Sequence, residues 1–247
     1  MFVKENETID DLQINGLKII QKNGAFKFGT DAVLLSDFSR NIPSEKTLDL
    51  CTGSGIIPVL LSAKTKTEKF VGVEIQEEIA DAAKRSVELN GLSERIEIVC
   101  DDLLNSVKRF GKRQFDLITC NPPYMRVNSA VLNECDAKII ARHEVKCTLE
   151  DIISVSVQLI SLNGHFVMVH KPSRLTDIIF LMRKYEIEPK KLRFVHRTAN
   201  DEPVLVLIDG LYKGKSDIRI LPPLILYDEN GNQTEELNAI YNRKETL

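Results

Sequence analysis

The chain has 247 residues, 43% of them hydrophobic and 28% charged, with 33 Lys and Arg against 36 Asp and Glu for a net charge of −3. This size and apolar content point to one generous domain with a real core, and exclude both a disordered chain and a histone-like surface that coats nucleic acid. No apolar run approaches the ~20 residues of a membrane span and the first residues lack the apolar core of a signal peptide, so a cytoplasmic protein is expected.

After a polar start, a strand over Leu17–Gln21 leads through Asn23-Gly24 and the turn-rich Phe26–Asp31 into an apolar helix over Ala32–Phe38. Residues 1–40 read as an appendage packed on a core, and 41–247 as the main domain. From Thr47 short β-rich runs alternate with helical ones: Thr47–Cys51, Ile57–Thr65, Lys69–Glu74, Glu77–Asn90, Ile96–Cys100, a helical turn at Leu103–Phe110, and Phe115–Cys120. That rhythm predicts an α/β fold, a mostly parallel sheet with helical crossovers on both faces. The helix from Glu77 carries acids in its first turn, places Ile79, Ala82, Ala83 and Val87 on one face, and stops at Asn90-Gly91. A helix over Leu149–Leu162 ending at Asn163-Gly164, a strand over Gly164–His170 and a helix over Ser173–Tyr185 follow. The strands Leu192–Arg197 and Val204–Tyr212 are joined by a link too short for a crossover, so this pair is antiparallel and the sheet is mixed at one edge. Leu221–Gly231 reads as an apolar docking segment with a turn.

The first chemical signal is Leu48-Asp-Leu-Cys-Thr-Gly-Ser-Gly55, where a strand gives way to a helix. Two glycines let a ligand approach the backbone there, but Asp49 would repel a pyrophosphate, and proline at 58 replaces the third glycine of a dinucleotide loop. An acidic loop suits a cationic ligand. The next strand ends in Glu74, placed to accept from ribose hydroxyls, and the third runs into Asp101-Asp102, where a carboxylate can accept from an adenine amino group. S-adenosylmethionine meets these conditions. The second signal is Asn121-Pro-Pro-Tyr124, at the end of the strand Phe115–Cys120. Pro122 and Pro123 have no N–H and restricted φ, so the segment is a stiff platform of acceptors. The Asn121 side-chain oxygen and the Pro122 carbonyl can take the two hydrogens of a planar exocyclic amine, while Tyr124 stacks on the base that carries it.

Asp49–Gly55, Glu74, Asp101 and Asn121–Tyr124 together resemble the class I S-adenosylmethionine-dependent methyltransferases whose Asn-Pro-Pro-Tyr motif marks amino methylation. The resemblance implies a Rossmann-like, seven-stranded, mostly parallel sheet with an antiparallel edge strand. Gly24–Asp31, Arg142-His143-Glu144 and Leu221–Tyr227 look like the bacterial tRNA(1)Val adenine-N6 methyltransferases, which modify the adenosine just 3′ of the anticodon. By that likeness Gly53 and Gly55 line the methionine end of the cofactor, Glu74 holds its ribose, Asp101 its adenine, and Asp31 is a further candidate for the methionine portion. Related enzymes that act on ribosomal guanine or protein glutamine share the central motifs, so those acceptors stay open, as do a nicotinamide-dependent oxidoreductase and a noncatalytic RNA-binding module.

The charge is uneven in a way that bears on the acceptor. Residues 171–219 hold 11 Lys and Arg against 7 Asp and Glu, so the remainder is net acidic. Lys171, Arg174, Lys190, Lys191, Arg193 and Arg197, with Arg142, are candidates for RNA phosphate contacts, and tRNA is the expected partner, with a monomer favoured and the oligomeric state left open. His143 is not needed as a general base, because a methylated amine is acidic enough to lose its proton to water, and His170 reads as structural. The five cysteines, Cys51, Cys100, Cys120, Cys135 and Cys147, never form a C-x-x-C pair, which predicts reduced thiols and no metal.

Overall fold

The structure, a computed structural model, describes residues 2–23, 29–123 and 147–241. Its first half comprises β1 (Glu7–Asp11), β2 (Lys18–Lys22), α1 (Thr30–Ser39), β3 (Lys46–Leu50), α2 (Ile56–Lys64), β4 (Lys69–Glu74), α3 (Glu77–Leu89), β5 (Ile96–Cys100), α4 (Ser106–Phe110) and β6 (Phe115–Cys120). The second comprises α5 (Leu149–Leu159), β7 (Ile160–His170), α6 (Leu175–Lys184), β8 (Ile187–His196), β9 (Pro203–Tyr212), the short β10 (Arg219–Ile220) and β11 (Leu224–Ile225), and α7 (Glu235–Ile240). No described helix is long and apolar enough to cross a membrane.

The main sheet runs β10-β8-β9-β7-β6-β3-β4-β5, with β11 also on β8. Strands β5, β4, β3, β6 and β7 are parallel, while β9 is antiparallel to both its neighbours. Seven long strands thus make the expected mostly parallel sheet, with the antiparallel member one place in from β8 rather than at the edge. Burial explains the order. Leu205–Gly210 of β9 is buried without a break, as an interior strand requires, whereas β8 is only half-buried and carries Lys190, Lys191 and Arg193.

Two apolar clusters fill the faces. Residues of α1, α2, α3 and α7 pack on one side and residues of α5 and α6 on the other. The α3 helix buries Ala80, Ala82, Ala83, Ser86 and Val87, opens on Glu77 and Glu78, and is followed by Gly91 at φ +66°. The β1–β2 hairpin docks on it: Ile20 N–H donates to Ser86 Oγ at 2.9 Å, Lys18 N–H donates to Asn90 Oδ1 at 2.8 Å, and Arg85 spans Glu7 and Asp81. At α5, Thr148 and Asp151 cap each other's backbone reciprocally.

Strand β8 begins at Ile187 rather than Leu192, because Ile187, Glu188 and Pro189 pair with Tyr212, Leu211 and Gly210 of β9, and one helix ends earlier than expected. The helix from Leu149 stops at Leu159 rather than Leu162, because the fully buried Ile160 is recruited into β7 opposite Phe115. The sheet register then shifts before Leu117, and Asn163, at φ +59°, belongs to that irregularity and not to a helix cap. Strand β1 and helix α7 had no sequence signal; β1 is polar and exists through pairing with β2, and α7 is six residues long.

The C-terminal ends of β3, β4, β5, β6 and β7 share one edge of the sheet, which brings the Asp49–Gly55 loop, Glu74, Asp101, Asn121 and His170 to the same side. A hollow at the opposite edge is lined by Arg40–Glu45, Lys64–Thr67, Asp116 and Ser161–Gly164. The C-terminal ends of α1 and α2 therefore lie there, and their N-terminal ends, with Asp31 and Gly55, lie at the edge that carries the motif residues.

Candidate active site

At the centre of the sheet β3 is flanked by β4 and β6, and the strand order reverses around it, which opens a crevice beyond the strand ends. Asp49 of β3 lies directly opposite Thr119 of β6, and its Oδ1 accepts a 2.6 Å hydrogen bond from the Thr119 hydroxyl. The residue is 1% exposed, and Oδ2 makes no hydrogen bond of normal geometry. Burial pushes this carboxyl up to about 7; the Thr119 and Thr52 hydroxyls oppose the rise and the Glu74 charge adds to it.

Beyond Leu50 the backbone turns left-handed at Cys51 (φ +58°), Gly53 (+55°) and Gly55 (+79°). Cys51 holds that conformation at a cost of about 1–2 kcal/mol, which the surrounding loop must offset. The offset comes from β4: Thr52 N–H donates to Val73 O at 3.0 Å and Gly53 N–H donates to Glu74 Oε2 at 3.0 Å. The loop lies this close because residue 72 is glycine; a Cβ there would sit 2.8 Å from Thr52 Oγ1 and 2.9 Å from Ile98 Cδ1. The two motif glycines play different parts. A Cβ on Gly53 would meet nothing within 4 Å, so its backbone is open to a ligand, whereas one on Gly55 would contact Ala83 and Ile98, so Gly55 serves the packing of α2 on α3.

Glu74 is 5% exposed and its Oε1 accepts from Gln76 N–H at 2.9 Å. Both of its oxygens are thus fixed by backbone donors, and each retains acceptor capacity. At the end of β5, Asp102 Oδ1 caps the following turn by accepting from Leu104 N–H, while Asp101 Oδ1 accepts from Asp102 N–H and Asn105 Nδ2. The Asn105 amide is the main influence that holds the Asp101 carboxyl below its usual range, with Arg109 at 3.6 Å contributing. Asp31, in the first turn of α1, is 8% exposed and accepts from Ala32 N–H; neighbouring Thr30 is held by the Tyr241 hydroxyl at 3.2 Å.

Asn121 follows β6 directly and is half-buried, Pro122 is buried and Pro123 exposed. Tyr124, Cys135 and Arg142-His143-Glu144 lie outside the described residues. Next to Asn121, at the end of β7, His170 Nδ1 accepts from Lys171 N–H at 2.8 Å, which sets the other ring nitrogen as the N–H. Burial first, and then the Arg174 charge, lower its pKa to about 4, so it is neutral at physiological pH. Burial likewise pushes the Cys120 and Cys147 thiols well up, which removes both as thiolate nucleophiles. All four described cysteines are free, and no cluster of His, Cys, Asp or Glu among the described residues could hold a metal.

The basic candidates do not form one stripe. Lys171, Arg174 and Arg197 follow the C-terminal ends of β7 and β8, on the motif edge. Along β8, Lys190 donates to Lys215 O, Lys191 lies 3.9 Å from Asp209, and Arg193 binds Pro222 O and Glu236. Sequence reasoning passed over Thr119, Thr52 and Gly72. A hydroxyl inside the otherwise apolar end of β6 was the available signal for Thr119.

The crevice therefore presents two buried carboxylates, Asp49 and Glu74, neither of them ion-paired to Lys or Arg among the described residues. It also presents one open glycine backbone and, across it, the Asn121–Pro122 acceptors. That donor-poor, acidic set fits a cationic nucleoside ligand and repels a pyrophosphate, as S-adenosylmethionine requires.

Known proteins fit this geometry. Residues 17–176 match the model of the methyltransferase small domain family. A tRNA1(Val) (adenine(37)-N6)-methyltransferase of Porphyromonas gingivalis is 30% identical over 196 residues, covering 76% of each chain. Among solved structures, a predicted O-methyltransferase of Agrobacterium tumefaciens superposes with a TM-score of 0.70 at 19% identity, covering 86% of this chain and 96% of that one. A T. thermophilus 16S rRNA N2 methyltransferase, solved with AdoMet and guanosine, gives 0.58 at 15% identity, covering 84% and 51%.

Proposed function

The chain belongs to the methyltransferase small domain family and is an S-adenosylmethionine-dependent methyltransferase, and we propose that it methylates N6 of an adenosine in tRNA, beside the anticodon of a valine tRNA. The observation that carries this reading is the placement of Asn121 and Pro122 at the end of β6, directly across the switch point from the Asp49–Gly55 loop. The relative from Porphyromonas gingivalis, named for adenine-37 of tRNA1(Val), supports the choice of acceptor.

When bound, S-adenosylmethionine supplies a methyl group on a positively charged sulfur. Gly53 receives its methionine end along open backbone, with Asp49 and Asp31 on the same edge. Glu74 holds the ribose, and Asp101 the adenine, as the resemblance implies. Asn121 Oδ1 and the Pro122 carbonyl take the two hydrogens of the target amine, which turns the nitrogen lone pair toward the methyl group; orientation supplies most of the acceleration. Pro123 and Tyr124 complete the platform, Tyr124 by stacking on the extruded base. Water or the same carbonyls accept the departing proton, so no general base is required. An anticodon loop offers bases already partly unstacked, which makes extrusion inexpensive. Lys171, Arg174 and Arg197 flank the crevice and are assigned the phosphate contacts nearest the target. Residues 1–40 are read as an appendage docked on the catalytic domain, 41–247.

Incubation with total tRNA and labelled cofactor, followed by nucleoside analysis, tests the assignment. Label recovered as N6-methyladenosine supports it, whereas label in guanosine or in protein glutamine transfers the chemistry to another acceptor.

A further inference from the structure

Asp49 and Thr119 face each other at the pivot of the site. Asp49 lies two residues before the left-handed turn at Cys51 and Thr119 two residues before Asn121, so their 2.6 Å hydrogen bond joins the loop that receives the cofactor to the strand that delivers the acceptor platform. Both side chains are almost completely buried, and the second Asp49 oxygen is sealed without a hydrogen bond of normal geometry. The titratable groups that face this carboxyl are Glu74 at the end of β4 and Cys120 of β6, and the nearby hydroxyls are those of Thr52 and Thr119. No Lys or Arg pairs with it among the described residues, so a positive ligand is the available counter-charge.

We propose that Asp49 and Thr119 form a proton-linked clamp: the Thr119 hydroxyl donates to Asp49 and lowers the cost of ionising it, and entry of the positively charged cofactor expels the proton that the carboxyl otherwise carries as the loop and the catalytic strand lock together. The inference rests on the cofactor reading above. Thr119 acts through Asp49 and touches no reacting atom, so it is a positioning residue. The balance is simple: the carboxyl loses one proton to solvent, the ligand contributes the compensating charge, and no bond to the ligand forms. The site without its ligand favours the protonated form because two carboxyls, Asp49 and Glu74, share a buried crevice with no Lys or Arg paired to them among the described residues, and burial, aided by the Glu74 charge, outweighs the Thr119 and Thr52 hydroxyls and raises Asp49 to about 7.

Calorimetric titration of the full chain with S-adenosylmethionine, and with S-adenosylhomocysteine as the control that lacks the sulfonium charge, in paired buffers of different ionisation enthalpy from pH 5.5 to 8.5, reads the proton directly. The expected result is release of about half a proton per site near pH 7 and affinity that rises with pH through that region. Thr119→Val keeps the shape and removes the hydroxyl, so it should move the acid limb of affinity up by about one pH unit and weaken binding at pH 7 by about five- to tenfold. Thr119→Ser should restore the limb, and Asp49→Asn should abolish proton release. Equal heats in both buffers for the wild type, or a limb that stays in place in a folded Thr119→Val protein, would overturn the clamp while leaving the methyltransferase reading intact. Failure of S-adenosylmethionine to bind at all would overturn both.

Discussion

Replacing Glu74 by alanine perturbs two functions at once, and the structure separates them. Its Oε2 takes the Gly53 N–H at 3.0 Å and its Oε1 the Gln76 N–H at 2.9 Å, in a site where the residue is 5% exposed. Truncation leaves two donors at the foot of the cofactor loop without their acceptor, at about 1–3 kcal/mol each. For a chain of this length that is a loss of roughly 4–24 °C in Tm. The ribose hydroxyls lose their acceptor as well, and with each charge-assisted bond worth about 1.5–3 kcal/mol the cofactor should bind about a hundred- to ten-thousandfold more weakly. Glutamine is the controlling substitution: it keeps one carbonyl oxygen for the backbone, so it should recover part of the Tm while affinity stays at least about tenfold reduced. Thermal melts paired with S-adenosylhomocysteine calorimetry make the measurement. A Glu74→Ala protein with a lowered Tm and unchanged affinity would show that Glu74 only pins the loop, and would remove it from the ligand site.

At Asn121, alanine should lower turnover by on the order of a hundredfold or more while barely changing RNA affinity, since the acceptor matters most as charge develops on the amine; near-normal turnover at saturating cofactor and tRNA would refute the platform. Charge removal at Lys171, Arg174 and Arg197, which lie on the motif edge, should weaken tRNA binding and flatten its salt dependence more than removal at Lys190, Lys191 and Arg193, which lie along β8; equal slopes for the two triple variants would dissolve the distinction. His170 has its folded pKa depressed to about 4 from 6.5, so the stability gained by keeping it neutral is present above pH 6.5 and is lost as pH falls toward 4, by about 3 kcal/mol at most. His170→Gln should therefore lose less Tm than the wild type over that window, and parallel curves would count against the assignment.

Local chemistry made much of this protein readable without coordinates. Alternating β-rich and helical runs from Thr47 to Cys120 required a parallel sheet, because each crossover is long enough to return the chain and Val, Ile and Leu fill the strands. Strand β4 occupies Lys69–Glu74 and β5 occupies Ile96–Cys100, as their composition demands. A parallel sheet must then bring successive strand ends to one edge, which is why Asp49, Glu74, Asp101 and Asn121 were recognisable as one set. Long-range contacts decided the rest. The chain between Leu159 and Leu162 has the pattern of a helix, yet Ile160 gains more by pairing with Phe115 on β6, and no periodicity records that partner. The basic residues from Lys171 to Arg197 look alike in sequence; that Lys171, Arg174 and Arg197 come to the motif edge while Lys190, Lys191 and Arg193 run along β8 depends on the strand directions. Gly72 and Thr119 carry no motif at all. Their importance arises because β3 lies between β4 and β6, so that a missing side chain on one neighbour makes room for Thr52 and a hydroxyl on the other meets the buried carboxyl of Asp49, a juxtaposition that only the order of strands in space creates.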